Sequence, residues 1–262
     1  MSEGAPNASG GGSPEPPKSA GAGSAAPGAG SEFAPILPYE GASDYERYLQ
    51  TDALLALQRS REEWAHRDEL LFMTVHQSSE LWLKLACAEV EEAAKLIEAR
   101  ELAAAIRLLR RAAACMKYVE GFLEHLEQMS PWEYQTIRKV LGHGSGFDSP
   151  GFREVRRVSP PLGQAFHALR EERGRSLVEV YTRGREDEEL YQLAELLTEW
   201  DERVSVWRYK HYKVVARIIG EEVVGTQGTP VELLGGLIKH KLYPELWDVR
   251  TKLTELSNEE EE

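Results

Sequence analysis

The 262-residue chain has only two cysteines, Cys87 and Cys115. Both fall inside apolar helical patterns, which suits free buried thiols better than a disulfide. No CxxCH occurs, so a haem, if one is bound, is not thioether-linked at such a motif. Basic residues are outnumbered, 31 Lys and Arg against 44 Asp and Glu, for a net charge of −13. That balance argues against a nucleic-acid binder, which needs a basic face to displace phosphate counterions. No run of about eighteen apolar residues is present, so no membrane span is expected. The opening Met-Ser-Glu-Gly lacks a basic-then-apolar leader, and a cytoplasmic location is expected. Convincing strand alternation is missing, and so is any repeat of fixed period. What remains is ordinary for a globular chain: 42% hydrophobic and 29% charged residues, at a length that can bury a substantial core.

Residues 1–36 are rich in Gly, Ser, Ala and Pro and carry almost no large apolar groups. Such a segment cannot offset its ordering entropy, so a disordered tail is expected there. Residues 37–257 are expected to form one helical domain, and 258–262 an acidic solvated end. Asp44 is placed as the cap of a helix from Tyr45 to about Gln58, with Tyr45 and Tyr48 on one face. A second helix runs from about Arg61 to Ala99, broken near Asp68, with Leu71, Val75, Leu81, Trp82, Leu85, Val90 and Leu96 as its apolar side. A third covers about Leu102 to Gln128. Ser130-Pro131-Trp132-Glu133 reads as a helix start, with Ser as cap and Pro at the first position. Pro160-Pro161 interrupts the pattern, so short helices are expected at Leu162–Arg170 and Ser176–Tyr181. The longest helix spans roughly Glu186 to Gly220. Short helices follow over Val231–His240 and Glu245–Leu256. The fold class is all-α, a helical bundle.

Chemistry-bearing residues stand at helical spacing. His211 lies on the apolar stripe of the longest helix, four after Trp207 and three before Val214. The commoner role of such a residue is a hydrogen-bonded core histidine. The other is an axial ligand to a metal or a haem iron, for which a neutral imidazole is suited. Phe72 and His76 are four apart and project together, and so are Tyr134 and Arg138. Arg138 can snorkel to water, pair with a carboxylate of the chain, or hold a ligand carboxylate bidentately. Leu141-Gly142-His143-Gly144-Ser145-Gly146 gives a backbone able to pass close to a flat group. It is not a phosphate loop, since no GK[ST] follows and a helix precedes it. Arg153, Arg156 and Arg157 form a small basic patch just beyond.

Four stretches resemble the tryptophan 2,3-dioxygenase family, in that family's order. They are Phe72-Met-Thr-Val-His76-Gln-Ser-Ser-Glu-Leu-Trp-Leu-Lys84, Tyr134-Gln-Thr-Ile-Arg138-Lys-Val-Leu-Gly142 with Ser145-Gly146-Phe147, Trp207-Arg-Tyr-Lys-His211, and Tyr243-Pro-Glu-Leu-Trp-Asp-Val-Arg250. The resemblance spans about Tyr45 to Arg250. It implies a haem b protein, a bundle around a haem pocket, assembled as a homotetramer of paired dimers. The implied reaction cleaves the indole C2–C3 bond of L-tryptophan with O2 to give N-formylkynurenine. The resemblance casts His211 as the proximal iron ligand and His76 as the distal catalytic histidine that meets the indole N–H. Arg138, with Tyr134 near it, would clamp the substrate carboxylate. Phe72 would wall the indole pocket, and Thr226 would contact the substrate ammonium or carboxylate. Tyr45 and Tyr48 would reach into a neighbouring subunit's site. Ser145 and Trp207 would flank the haem.

Two departures accompany the match. The segment between Ser145 and His211 is shorter than in typical members, where extra helices form a small subdomain. Gly225-Thr226-Gln227-Gly228-Thr229-Pro230 differs from the family's GTGGS-type loop. The alternatives weighed beside a tryptophan dioxygenase are a haem oxygenase of the same fold acting on a modified tryptophan or other aromatic amino acid, and a non-catalytic haem-binding helical oligomer.

Overall fold

The computed structural model describes residues 34–259. The chain divides into two compact units, through Leu57 and from Gln58, where the sequence reading draws one domain over 37–257. Most of the expected 1–36 tail, and residues 260–262 of the acidic end, lie outside the described residues.

In the first unit the expected single helix is two: α1 (Asp44–Leu49) and α2 (Thr51–Leu55). Gln50 separates them in a left-handed conformation, φ 53°. Ser43, not Asp44, caps α1, in a capping box with Glu46. The Asp44 carboxylate instead accepts from the amides of Ile36 and Leu37, at 2.9 and 2.8 Å.

The second unit holds α3 (Glu69–Glu98), α4 (Leu102–Leu126), α5 (Pro131–Val140), α6 (Pro150–Glu172), α7 (Leu177–Thr182), α8 (Glu188–Ile219), α9 (Glu232–Leu237) and α10 (Pro244–Glu259). Among the described residues the only strand-like feature is one isolated bridge, Val224 to Pro230, so the fold is all-α. No helix among them is long and apolar enough to cross a membrane.

α3 packs on α4 and α6, and α4 packs on α8. The buried side of α3 follows the expected stripe only in part: Val75 and Val90 are buried, and Leu71, Trp82 and Leu96 pack against the cores. Leu81 and Leu85 are exposed, while Leu83, Ala86, Cys87, Val90, Ala93, Ala94 and Ile97 are buried. Ala105, Ala112 and Ala113 answer them on α4. Small residues on both helices allow close approach, and packing overrode residue size as a guide to burial.

α6 runs unbroken through Pro160 and Pro161, contrary to the interruption expected from the sequence. The two prolines withdraw donors from the carbonyls of Arg156 and Arg157, both of them exposed residues, where water can replace the lost bonds. The buried side is pinned from outside the helix. Trp200 Nε1 donates to Ser159 Oγ at 3.0 Å, and the Tyr243 hydroxyl donates to Ser159 O at 2.9 Å. Buried Asp201 on α8 takes three donors at one oxygen: the amides of Leu242 and Tyr243 and the Trp247 indole, at 2.9–3.1 Å. These bonds fix the start of α10 against α8.

At one end of the unit a second, smaller core forms from Val75, Leu123, Leu126, Met129, Ile137, Val214 and Ile218. Phe72, Tyr134 and Trp207 pack against it. This is where the three histidine- and arginine-bearing helices converge.

Candidate functional site

A cavity of about 440 Å³ opens beside this second core, within the usual range for a small-molecule or cofactor site. Phe72, His76, Tyr134, Arg138, Ser145, Trp207, His211 and Thr226 all line it. Eight residues chosen from the sequence thus come together from α3, α5, α8 and two loops. Tyr45 and Tyr48 lie on α1 in the other unit, both well exposed.

His211 reaches the cavity because α8 carries its stripe inward through Val204, Val214 and Ile218. Its ring stacks on Trp207 at 4.8 Å and 8°. Trp207 in turn lies 3.8 Å from the Phe152 ring. Among the described residues neither nitrogen of His211 has a hydrogen-bond partner, so this is not the hydrogen-bonded core histidine. Burial, with a smaller contribution from nearby His76, lowers its pKa to about 4. The imidazole is therefore neutral at pH 7, with a free lone pair. Gly146 meets the same ring: a Cβ there would lie 3.6 Å from Cε1 and 3.7 Å from Nε2. A residue without a side chain keeps that edge clear.

The shift carries a prediction for haem-free protein. Above pH 6.5 His211 is neutral folded or unfolded and contributes nothing. Below it the unfolded chain takes a proton that the folded chain refuses until pH about 4. Stability therefore falls as pH drops through that window, by at most on the order of 3 kcal/mol from this group. Urea midpoints at pH 7 and pH 4.5 check it: the acid loss is smaller in His211→Gln. An equal loss in both proteins would mean that His211 is not held neutral by the fold.

His76 sits 4.0 Å from the Phe72 ring. Its Nδ1 lies 2.7 Å from Phe72 O. A carbonyl only accepts, so Nδ1 carries the proton and the neutral ring leaves Nε2 as an acceptor. Burial lowers the pKa of His76, against the opposing effects of that hydrogen bond and of Glu80, which favours this neutral form. Glu80, one turn on, also lines the cavity and ties α3 to the start of α6. It accepts from Ser149 Oγ at 2.5 Å and from the Gly151 amide at 2.8 Å. Sequence reasoning missed it, although its spacing of four from His76 puts it on the same face.

Tyr134 lies 6.1 Å from the Phe72 ring. Its phenol is raised in pKa by burial, with Arg138 opposing. Arg138 donates through Nη2 to Val224 O at 2.6 Å, which leaves most of its five donors uncommitted. Two further bonds join the loop after α8 to the loop after α5. Thr226 Oγ1 donates to Gly144 O, and Gln227 Nε2 donates to Asp148 Oδ2 at 2.6 Å. Ser145 caps the 146–148 turn, its Oγ accepting from the Phe147 amide at 3.3 Å.

Fold and cavity together define the class: an all-α protein whose longest helix offers one neutral, unpartnered imidazole to an apolar cavity containing an acceptor histidine and an arginine. The sequence pattern of the family described as tryptophan 2,3-dioxygenase matches residues 34–167 and 162–253. A protein of Myxococcus xanthus named tryptophan 2,3-dioxygenase is 32% identical over 271 aligned residues, covering 84% of this chain and 92% of its own length. Namesakes from Caulobacter vibrioides and Erythrobacter litoralis are 32% and 34% identical, each over 80% of this chain and 98% of its own length. The chain belongs to the tryptophan 2,3-dioxygenase family, a family of oxidoreductases. The family match comes in two stretches that share residues 162–167, and the join falls within α6, just after the two prolines.

Proposed function

We propose that the chain is a haem-dependent dioxygenase that opens the indole C2–C3 bond of L-tryptophan with O2, giving N-formylkynurenine. The observation that carries the reading is His211: half-buried, neutral, without a hydrogen-bond partner among the described residues, and facing a cavity with mostly apolar walls. Such a donor set fits a haem held by one protein ligand, with Trp207, Ser145 and Gly146 bordering it. Ferrous haem b would supply the binding and activation of dioxygen.

The chain's own residues do the rest. Phe72 and the second core offer the indole a flat apolar wall. His76 Nε2 accepts the indole N–H, its proton held at Nδ1 by the Phe72 carbonyl. Arg138 meets the substrate carboxylate in a bidentate pair. Tyr134 fills the space beside it, and the Thr226 hydroxyl, its proton given to Gly144 O, can accept from the substrate ammonium. The apolar walls exclude water from the reacting carbons. The proposed assembly is a homotetramer in which Tyr45 and Tyr48 complete a neighbouring subunit's cavity. Their exposure on α1, with exposed Leu55 and Leu57 nearby in sequence, supports a surface made for contact.

Turnover under isotopically labelled dioxygen tests the reaction type: two labelled oxygens are expected in the product, and a single label would contradict a dioxygenase. His76→Ala is expected to retain haem and lose about 100-fold or more in turnover, the usual scale for a positioned proton partner. Loss of haem in that variant would reverse the two histidine assignments. The changed 225–230 loop favours one second reading, a substituted tryptophan as the preferred substrate. A substrate panel decides between them by kcat/KM.

A further inference from the structure

The basic patch at residues 153–157 is only partly used by the fold. Arg157 is neutralised on the outer surface by Glu91 and Glu154. Arg156, its neighbour in sequence, behaves differently. It lines the cavity, and among the described residues its side chain has no hydrogen bond or ion pair. Arg208 lines the same cavity from α8. It spends Nη1 on the His240 carbonyl at 2.8 Å, with Leu237 O at 3.5 Å, and its other donors stay open.

Among the described residues no carboxylate bonds either guanidinium. Asp201 is the acidic group acting on Arg208, but one of its oxygens already holds three donors. Burial and the charge of Arg156 both work against the charge of Arg208. Arg156 is exposed and Arg208 half-buried, so both stay charged, and together they create a positive potential at that place. Their position is informative. Arg156 is one helical turn beyond Phe152, and Arg208 directly follows Trp207. Phe152, Trp207 and His211 form one continuous ring stack. The cationic pair therefore borders the same part of the cavity as the imidazole.

We propose that Arg156 and Arg208 form an anion-binding end of this cavity that holds the two carboxylate side arms of the porphyrin, leaving Arg138 for the carboxylate of the substrate. This rests on the haem reading of His211. Guanidinium groups suit the task because they stay charged and pair with carboxylates in a planar, two-bonded geometry.

The test is a titration of haem-free protein with haem b and, separately, with its dimethyl ester, which lacks both carboxylate charges. The Soret band and the quenching of tryptophan fluorescence are followed. The unaltered protein is expected to prefer the diacid by about tenfold or more, as for a charged hydrogen bond of modest exposure. Arg156→Gln and Arg208→Gln are each expected to lose much of that preference while binding the ester as before, which also shows that they fold. Arg156→Lys is expected to regain part of it. A preference unchanged in Arg156→Gln overturns the proposal and leaves the haem reading intact. So does equal weakening of both porphyrins, or weaker tryptophan binding with the preference preserved. If the unaltered protein binds neither porphyrin, the haem reading fails and the proposal falls with it.

Discussion

His211→Ala is expected to lose the Soret band that haem-supplemented wild-type protein shows, and with it all turnover. Among the described residues the ring has no hydrogen-bond partner whose loss could unfold the chain, and its packing is chiefly the stack on Trp207 at 4.8 Å. Removing it costs about 1–2 kcal/mol of packing, less than the deletion of a large aliphatic core residue. A haem held as proposed would, by contrast, lose its one protein ligand. Fold and cofactor are thus separable in this variant. Circular dichroism is expected to remain helical while the haem band is absent. Imidazole added to the cavity is expected to restore part of the band, since the space left is that of the missing ring. A variant that keeps a normal haem spectrum would remove His211 from the iron.

Arg138→Leu is the second large effect. A desolvated charge that loses its partner commonly costs 2–5 kcal/mol. Arg138 is only partly buried and also bonds the Val224 carbonyl, so the low end applies. About 2 kcal/mol is roughly a 30-fold rise in the dissociation constant of L-tryptophan. The haem spectrum without substrate is expected to stay unchanged. Arg138→Lys keeps the charge without the two-pronged geometry and is expected to recover only part of the affinity. Binding of indole itself, which has no carboxylate, is expected to be insensitive to both variants. Equal loss of indole and tryptophan binding would assign Arg138 to loop support instead.

Much of this molecule is legible in its sequence, and the failures have physical causes. Ser130-Pro131 marks the start of α5 because capping is a local interaction. The stripe holding His211 is readable because α8 is long and buries one side. The buried face of α3 is read only in part, with Leu81 and Leu85 exposed, because size is a poor guide where helices approach through alanines. α6 is misread because proline penalties assume buried carbonyls, whereas those of Arg156 and Arg157 belong to exposed residues. Asp44 and Ser43 compete for one cap, and adjacent short polar residues are hard to rank. The contacts of Arg138 with Val224, Thr226 with Gly144 and Gln227 with Asp148 join residues some eighty positions apart, beyond the reach of any local pattern. The proton on His76 Nδ1 is likewise fixed by a carbonyl that only coordinates can bring to 2.7 Å.

The most direct measurement is anaerobic reduction of haem-loaded protein, addition of L-tryptophan, and then admission of air with near-ultraviolet absorbance followed in time. The account predicts that a formylkynurenine product appears on exposure to air and not before, and that it fails to appear in the His211→Ala protein. A ferrous haem protein that takes up both tryptophan and dioxygen yet leaves the indole ring intact would contradict it.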